Sequence, residues 1–283
     1  MRSWLLVATV LCGCRSPAPQ ARDAGGLRVV CLTPSSTEMV HAVGALASIV
    51  GVDEFSTVPP EVRSLPKVGD FLHPNLEATL ALHPDIVVAD AVQTKAIEAL
   101  NSSGIKVLAL PMQTLADVRA AFLEVGRALG REPEGRAAQG RFDEAISAAE
   151  ARAAKARTDK GRAPKVLFVV DRRPGSLAGM VAAGPGSYLD DLIRRAGGEN
   201  ALAAAPLRYV QITAEEVLTL APDVILDAAH VDDTKRAIAD WDALSAVPAV
   251  AAKRVVILDD PSFVTPGPRL ATAFPRLVSL LWD

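Results

Sequence analysis

Few side chains in this sequence have chemistry to offer. The four histidines are His41, His73, His83 and His230, and no two share the short spacing of metal ligands. His73 stands apart because it sits in a loop beside an aromatic, Val68-Gly-Asp-Phe-Leu-His-Pro74. It reads either as a surface loop residue or as a pocket residue able to reach an iron-bearing ring. Four aromatics also occur in loops, outside any helical stripe: Phe55, Phe71, Tyr209 and Phe263. Each adjoins the end of an expected strand, where open α/β sheets bind ligands. Apolar walls with a few polar groups suit a bulky, partly apolar ligand. The alternative for each ring is a place in the core. Glu77 and Glu215 each lie near the start of a short helix, where a carboxylate is favoured by the helix dipole. They also form a pair of charges, one per half of the chain, that a basic partner could meet. There is no G-x-S-x-G, Walker loop or H-E-x-x-H. No catalytic residue and no protein-held metal or cofactor is therefore expected.

The elements that position these residues come from a repeat. Asn75 to Ala89 matches Thr213 to Asp227 at an offset of 138, pairing Glu77 with Glu215, Pro84 with Pro222 and Asp85 with Asp223. In each copy a capping residue, Asn75 or Thr213, opens a short helix that a proline stops. Thr213 with Glu216 fits a capping box. A continuous apolar run follows, as in a parallel strand covered on both faces. Each half begins with a basic residue and a strand, at Arg28 and at Lys165, and continues into an amphipathic helix. The first helix is expected from Ser35 to Gly44 with a box between Ser35 and Glu38, the second from Tyr188 to Gly197. Lys106 to Leu110 and Arg254 to Leu258 match more loosely. Strands alternating with helices predict two similar parallel-sheet α/β lobes. Between them, Phe142, Ala145, Ile146, Ala149 and Ala153 make a stripe at helical spacing. One long rigid helix should join the lobes, leaving a ligand cleft between them.

The 283 residues carry 30 Lys and Arg against 33 Asp and Glu, half are hydrophobic, and the net charge is −3. This is globular composition, without the basic excess of a nucleic-acid binder. The start, Met1-Arg2-Ser3 before an apolar run from Trp4 to Leu11, reads as a secretory signal too short to span a bilayer. Leu11-Cys12-Gly13-Cys14 resembles a bacterial lipobox, which implies cleavage before Cys14 and a lipid on its thiol. The expected division is a signal peptide over 1–13, a lipidated tether over 14–26, an N-terminal lobe over 27–133, the connecting helix over 134–160 and a C-terminal lobe over 161–283. Cys31, in the apolar run Arg28 to Leu32, reads as a small buried hydrophobe.

The chain resembles the periplasmic binding proteins of cobalamin and iron-chelate ABC importers. The likeness lies in Arg28 to Glu38, Val50 to Phe55 with Pro59-Pro60, Leu65 to Gly69, Pro74 to Glu77 with His83 to Val87, and Ala196 to Asn200. It covers roughly residues 27 to 282. It implies a two-lobed, non-enzymatic carrier on the periplasmic or extracytoplasmic face, held to the membrane by the lipid on Cys14. It also implies docking of Glu77 and Glu215 onto arginines of a permease that works with an ATPase, and a cleft lined by Phe55, Phe71, Tyr209 and Phe263. Val68 to Glu77 and Tyr209 to Glu215 look most like the cobalamin-binding members. Phe71 and Tyr209 stand at positions of expected tryptophan, and Val58 at that of a tyrosine. These departures leave another corrinoid, haem or a ferric siderophore open as ligand, with Arg172, Arg173, Arg208 and Arg269 as the basic residues near the cleft. A secreted α/β enzyme is the alternative of another class.

Overall fold

The computed structural model describes residues 26–229 and 233–283. Cys14, the expected signal peptide and all but Gly26 of the tether lie outside the described residues, as does His230. The first lobe runs β1 (Val29–Cys31), α1 (Pro34–Ala42), β2 (Ile49–Val52), α2 (Leu76–Ala81), β3 (Ile86–Asp90), α3 (Thr94–Ser102), β4 (Lys106–Leu110) and α4 (Leu115–Ala128). Helix α5 (Glu132–Lys160) crosses to the second lobe. That lobe runs β5 (Lys165–Asp171), β6 (Met180–Ala183), α6 (Tyr188–Arg195), β7 (Glu199–Asn200), β8 (Tyr209–Ile212), α7 (Ala214–Leu220) and β9 (Val224–Asp227). It ends with α8 (Thr234–Ala239), α9 (Pro248–Ala251), β10 (Val255–Ile257) and α10 (Leu270–Trp282).

The first sheet is fully parallel in the order β2-β1-β3-β4. The second follows β10-β9-β5-β6-β8, with β7 also pairing β5. Here the sheet is mixed, because β6 runs antiparallel to both β5 and β8. The reason is length: only residues 172–179 join β5 to β6, fewer than the dozen or so that a parallel crossover needs. Central strands β1, β3 and β9 are buried along their whole length, while the edge strand β4 is partly exposed.

Both faces of each sheet are covered, and the side chains divide with period two. Val29 and Cys31 turn one way, Val30 and Leu32 the other. Val166 and Phe168 turn inward, Leu167 and Val169 outward. The inward sets of both lobes join one continuous core through Phe122 of α4, Phe142, Ile146, Ala149 and Ala153 of α5, and Leu277 of α10. The stripe foreseen on α5 is thus the spine that both lobes share.

The repeat is a repeat of interactions. Asp85 accepts from the Arg28 amide (2.7 Å), and the Arg28 guanidinium donates to the Leu82 carbonyl at the end of α2 (2.8 Å). In the second lobe Asp223 accepts from the Lys165 amide (2.7 Å), and the Lys165 ammonium donates to the Leu220 carbonyl ending α7 (3.3 Å). His83 and Ala221, equivalent in the repeat, both take left-handed backbone, with φ of 46° and 45°. The basic residue opening each lobe therefore clamps the end of the helix that precedes the neighbouring strand.

One cap differs from expectation. Helix α1 is capped by Thr33, in a box with Ser36, rather than by Ser35 with Glu38. Pro34 explains this: a proline fits the first helical position, where its missing amide costs nothing, so the cap falls one residue earlier. Glu38 is thereby left for another partner.

Candidate ligand-binding site

The carboxyl ends of the first lobe's strands face the second lobe. Gln113, just past β4, accepts at its carbonyl from the Tyr188 amide (2.7 Å) and at its side chain from Arg208 (3.3 Å). The Leu115 amide donates to Asp191 (3.2 Å). Tyr209 is half-buried at this junction and packs on the shared core. Burial pushes its hydroxyl up to about 12, countered by Arg208 and reinforced by Asp90 across the divide, so it stays neutral and free to donate.

Three loops of the first lobe form the opposing rim, each turned by an aspartate. Asp53 accepts from the Phe55 amide (3.0 Å) and from the Ser56 hydroxyl. Asp70 accepts from the amides of Leu72 and His73, both at 2.7 Å. Asp90 accepts from the Val92 amide (3.0 Å). The loops are tied together: the Glu54 amide donates to the Gly69 carbonyl (2.9 Å), and the Gln93 amide group donates to the Phe71 carbonyl (2.9 Å). The rim leaves large apolar side chains in solvent, with Phe55 67%, Phe71 39%, Leu72 76% and Val92 52% exposed. Asp53 and Asp90 are themselves buried, and burial raises both carboxyls above the usual range. The Ser56 and Phe55 hydrogen bonds oppose this at Asp53, and the Val92 amide opposes it at Asp90.

Of the four expected cleft aromatics, Phe55 and Phe71 lie on this rim and Tyr209 lies across from it. Phe263 does not line an open cleft. It is fully buried, its carbonyl accepts from the Tyr188 hydroxyl (3.1 Å), and the Arg276 guanidinium covers its ring at 5.7 Å. His73 is exposed on the same loop as Phe71, with Nδ1 3.4 Å from Asp70. Of the arginines, Arg208 is at the junction and Arg173 is exposed. Arg172 is not available: it is buried in the second lobe against Asp227 (2.7 Å) and Asp240 (2.8 Å). Arg269 grips Glu38 of the first lobe through two donors, at 2.9 and 2.7 Å. Leu72, Val92 and their aspartates were not singled out from sequence. The signal was present as an aspartate two residues before an apolar one in three loops.

Glu77 and Glu215 are exposed, each at the second position of its helix, α2 or α7. Neither forms an ion pair among the described residues. A cavity of about 620 Å³ opens beside Glu215, between Ser176–Gly179 and Gln211–Ala214.

A family model described as periplasmic binding protein matches residues 29–261. The chain belongs to that family. Among similar proteins, the ABC transporter substrate-binding lipoprotein YvrC of Bacillus subtilis is 28% identical, over 98% of this chain and 95% of its own. The vitamin B12-binding protein of Salmonella choleraesuis is 29% identical over 90% of each chain. The periplasmic haem-binding protein BhuT, solved with two haems, superposes with a TM-score of 0.80 at 31% identity, over 92% of this chain and 99% of that one. The periplasmic binding protein described here is therefore a two-lobed substrate-binding protein. Its relatives are transport-associated binding proteins of the extracytoplasmic side.

Proposed function

We propose that this binding protein captures cobalamin or a related corrinoid between its lobes and delivers it to an ABC importer, without catalysis and without a resident cofactor. The observation that carries the reading is the apolar rim holding Phe55 and Phe71 opposite the neutral hydroxyl of Tyr209. A corrin ring has broad apolar faces and a polar, amide-rich edge, and such a ligand can be held by shape and apolar contact with no metal ligand from the protein. Vitamin B12-binding relatives aligned over most of their length support it. On this reading Cys14 carries a lipid that holds the chain at the membrane, and Glu77 and Glu215 meet basic groups of the permease.

Haem is the second reading, favoured by one arrangement. His73 is exposed beside Phe71, and the Asp70 carboxylate stands at its Nδ1. A carboxylate there orients an imidazole so that its other nitrogen can face a metal. Haem-binding structural neighbours at 28% and 31% identity point the same way.

Calorimetric titration of residues 27–283 with cyanocobalamin and with haemin separates the two. Saturable one-to-one binding of cyanocobalamin, unaffected by His73→Ala, supports the corrinoid. Haemin binding with a Soret shift that His73→Ala abolishes overturns it in favour of haem.

A further inference from the structure

We propose that the amino edge of the second lobe is a membrane-facing surface. Lys155, Arg157 and Lys160 at the end of α5, with Lys253 beside them, rest on the anionic headgroups of phospholipids. The surface is separate from the ligand cleft and from the Glu77 and Glu215 pair, and the reading of Cys14 as a lipid anchor supplies its setting. Residues 151–165 hold six Lys and Arg against one Asp, in a chain whose net charge is −3. Folding adds to that run. The turn from α9 into β10 brings Ala252 and Arg254 against Lys160 and Arg162, around a cavity of about 390 Å³. Lys253 lies in that turn and is exposed. The acids nearby are fewer. Asp223 is engaged by Arg162 (2.6 Å) and by the Lys165 amide (2.7 Å), Glu199 lies near Arg162, and Asp159 and Asp283 are exposed.

Arg152, Lys155, Arg157, Lys160 and Lys253 are all exposed, and none forms an ion pair among the described residues. A helix C-terminus favours cations, but only over its last turn. That accounts for Arg157 and Lys160, and not for Arg152, Lys155 or Lys253. Lys253 also takes left-handed backbone, with φ of 55°, which glycine adopts at lower cost. Separate cations on long flexible stems, without a buried acceptor to share, suit a diffuse sheet of negative charge better than one fixed anion. The position fits as well. Strands β5, β9 and β10 are parallel and start at this edge. Glu215 opens α7, whose last residue Leu220 reaches this edge beside Lys165, so the patch and Glu215 are at opposite ends of that helix. The chain enters the first lobe at an amino edge too, at β1. The stretch from Cys14 to Gly26 spans about 40 Å at most, so a lipid on Cys14 keeps the bilayer within reach and raises its effective concentration at the patch.

Co-sedimentation tests this with residues 27–283, which contain every element and the whole core described above. The vesicles are phosphatidylcholine, with or without phosphatidylglycerol. Wild type should sediment with the anionic vesicles and not with pure phosphatidylcholine. Salt at about 0.5 M should release it, because it screens charges more than a few ångströms apart. Lys155→Gln, Lys160→Gln and Lys253→Gln together should lower the partition coefficient about tenfold or more. Lys106→Gln, Arg136→Gln and Arg141→Gln remove the same charge elsewhere on the surface and should lower it less than about twofold. All six positions are exposed, so thermal midpoints should stay near wild type. Wild type that ignores phosphatidylglycerol overturns the proposal, and so does an equal loss in the two triple variants. This chain lacks Cys14, so the result does not depend on the anchor. Absence of labelled fatty acid on the full chain overturns the anchor alone.

Discussion

Asp53 and Asp90 show how a single side chain can fix a loop at a cost to stability. Each is buried at a strand end and is met by local donors rather than by a full counter-charge: Asp53 by the Phe55 amide and the Ser56 hydroxyl, Asp90 by the Val92 amide. Burial is the larger effect, so both carboxyls lie above their ordinary value of 3.8. A carboxyl raised in the folded state binds its proton more tightly there than in the unfolded chain. Its contribution is therefore greatest in acid and is lost as pH climbs from 3.8 through the raised value. Asp53→Asn should remove that fall. The difference in unfolding free energy, wild type minus variant, should shrink as pH rises through this window and then level off. A difference that does not change with pH would show that Asp53 does not titrate as described. Cys31 is a simpler case: fully buried, with its thiol pushed up to about 12, it acts as core rather than as a nucleophile.

At the scale of elements, the repeat does more than duplicate a fold. Helices α2 and α7 start on capping residues, with the Asn75 side chain accepting from Ala78 (3.0 Å) and Thr213 from Glu216 (3.2 Å). They end on equivalent left-handed residues and are clamped by equivalent basic side chains. The clamps set the direction of each helix, and with it the direction of Glu77 and Glu215. A matched pair of exposed carboxylates held this rigidly suits electrostatic docking. The double variant Glu77→Ala, Glu215→Ala should leave ligand Kd within about twofold, since neither residue is one of the apolar rim side chains, yet lower uptake in cells. The expected cost is a slower or weaker encounter with the transporter, at its largest in low salt. Wild-type uptake by the double variant would remove these residues from the docking surface.

For the molecule as a whole, the question is what fixes the lobes to each other. Among the described residues the shared core around α5, the Gln113 contacts with Tyr188 and Arg208, the Leu115 amide on Asp191 and the ion pair of Glu38 with Arg269 do so. The last is the most exacting. Glu38 is 4% exposed, burial raises its carboxyl, and Arg269 is the main group that opposes the rise, with a smaller contribution from His41. Removing one partner of a buried pair costs far more than the pair contributes, because the other charge is left in a dry site. Arg269→Ala should therefore lower the unfolding free energy by about 3 kcal/mol, the low end for such pairs because Arg269 keeps some contact with water. Denaturant titration reads this directly, and a loss below about 0.5 kcal/mol, typical of an exposed pair, would show that the contact does not bind the lobes.

Much of this was legible in the chain itself. The apolar runs of β1, β3 and β9, the prolines that stop α2 and α7, the Thr213 box and the apolar stripe of α5 are local patterns. Local patterns suffice because caps, breakers and periodicity act within one or two turns of backbone. The family likeness followed from the same segments. What required the tertiary structure was the destination of side chains outside periodic elements. Phe55 and Phe263 look alike in sequence, each in a loop two or three residues after an aspartate. One stands in solvent, while the other is roofed by Arg276 and held by Tyr188, 75 residues away. Arg172 and Arg208 diverge likewise, one neutralised in a buried network and the other at the lobe junction. Burial of a loop residue is decided by whichever distant segment packs over it, and that information is spread along the chain rather than written beside the residue.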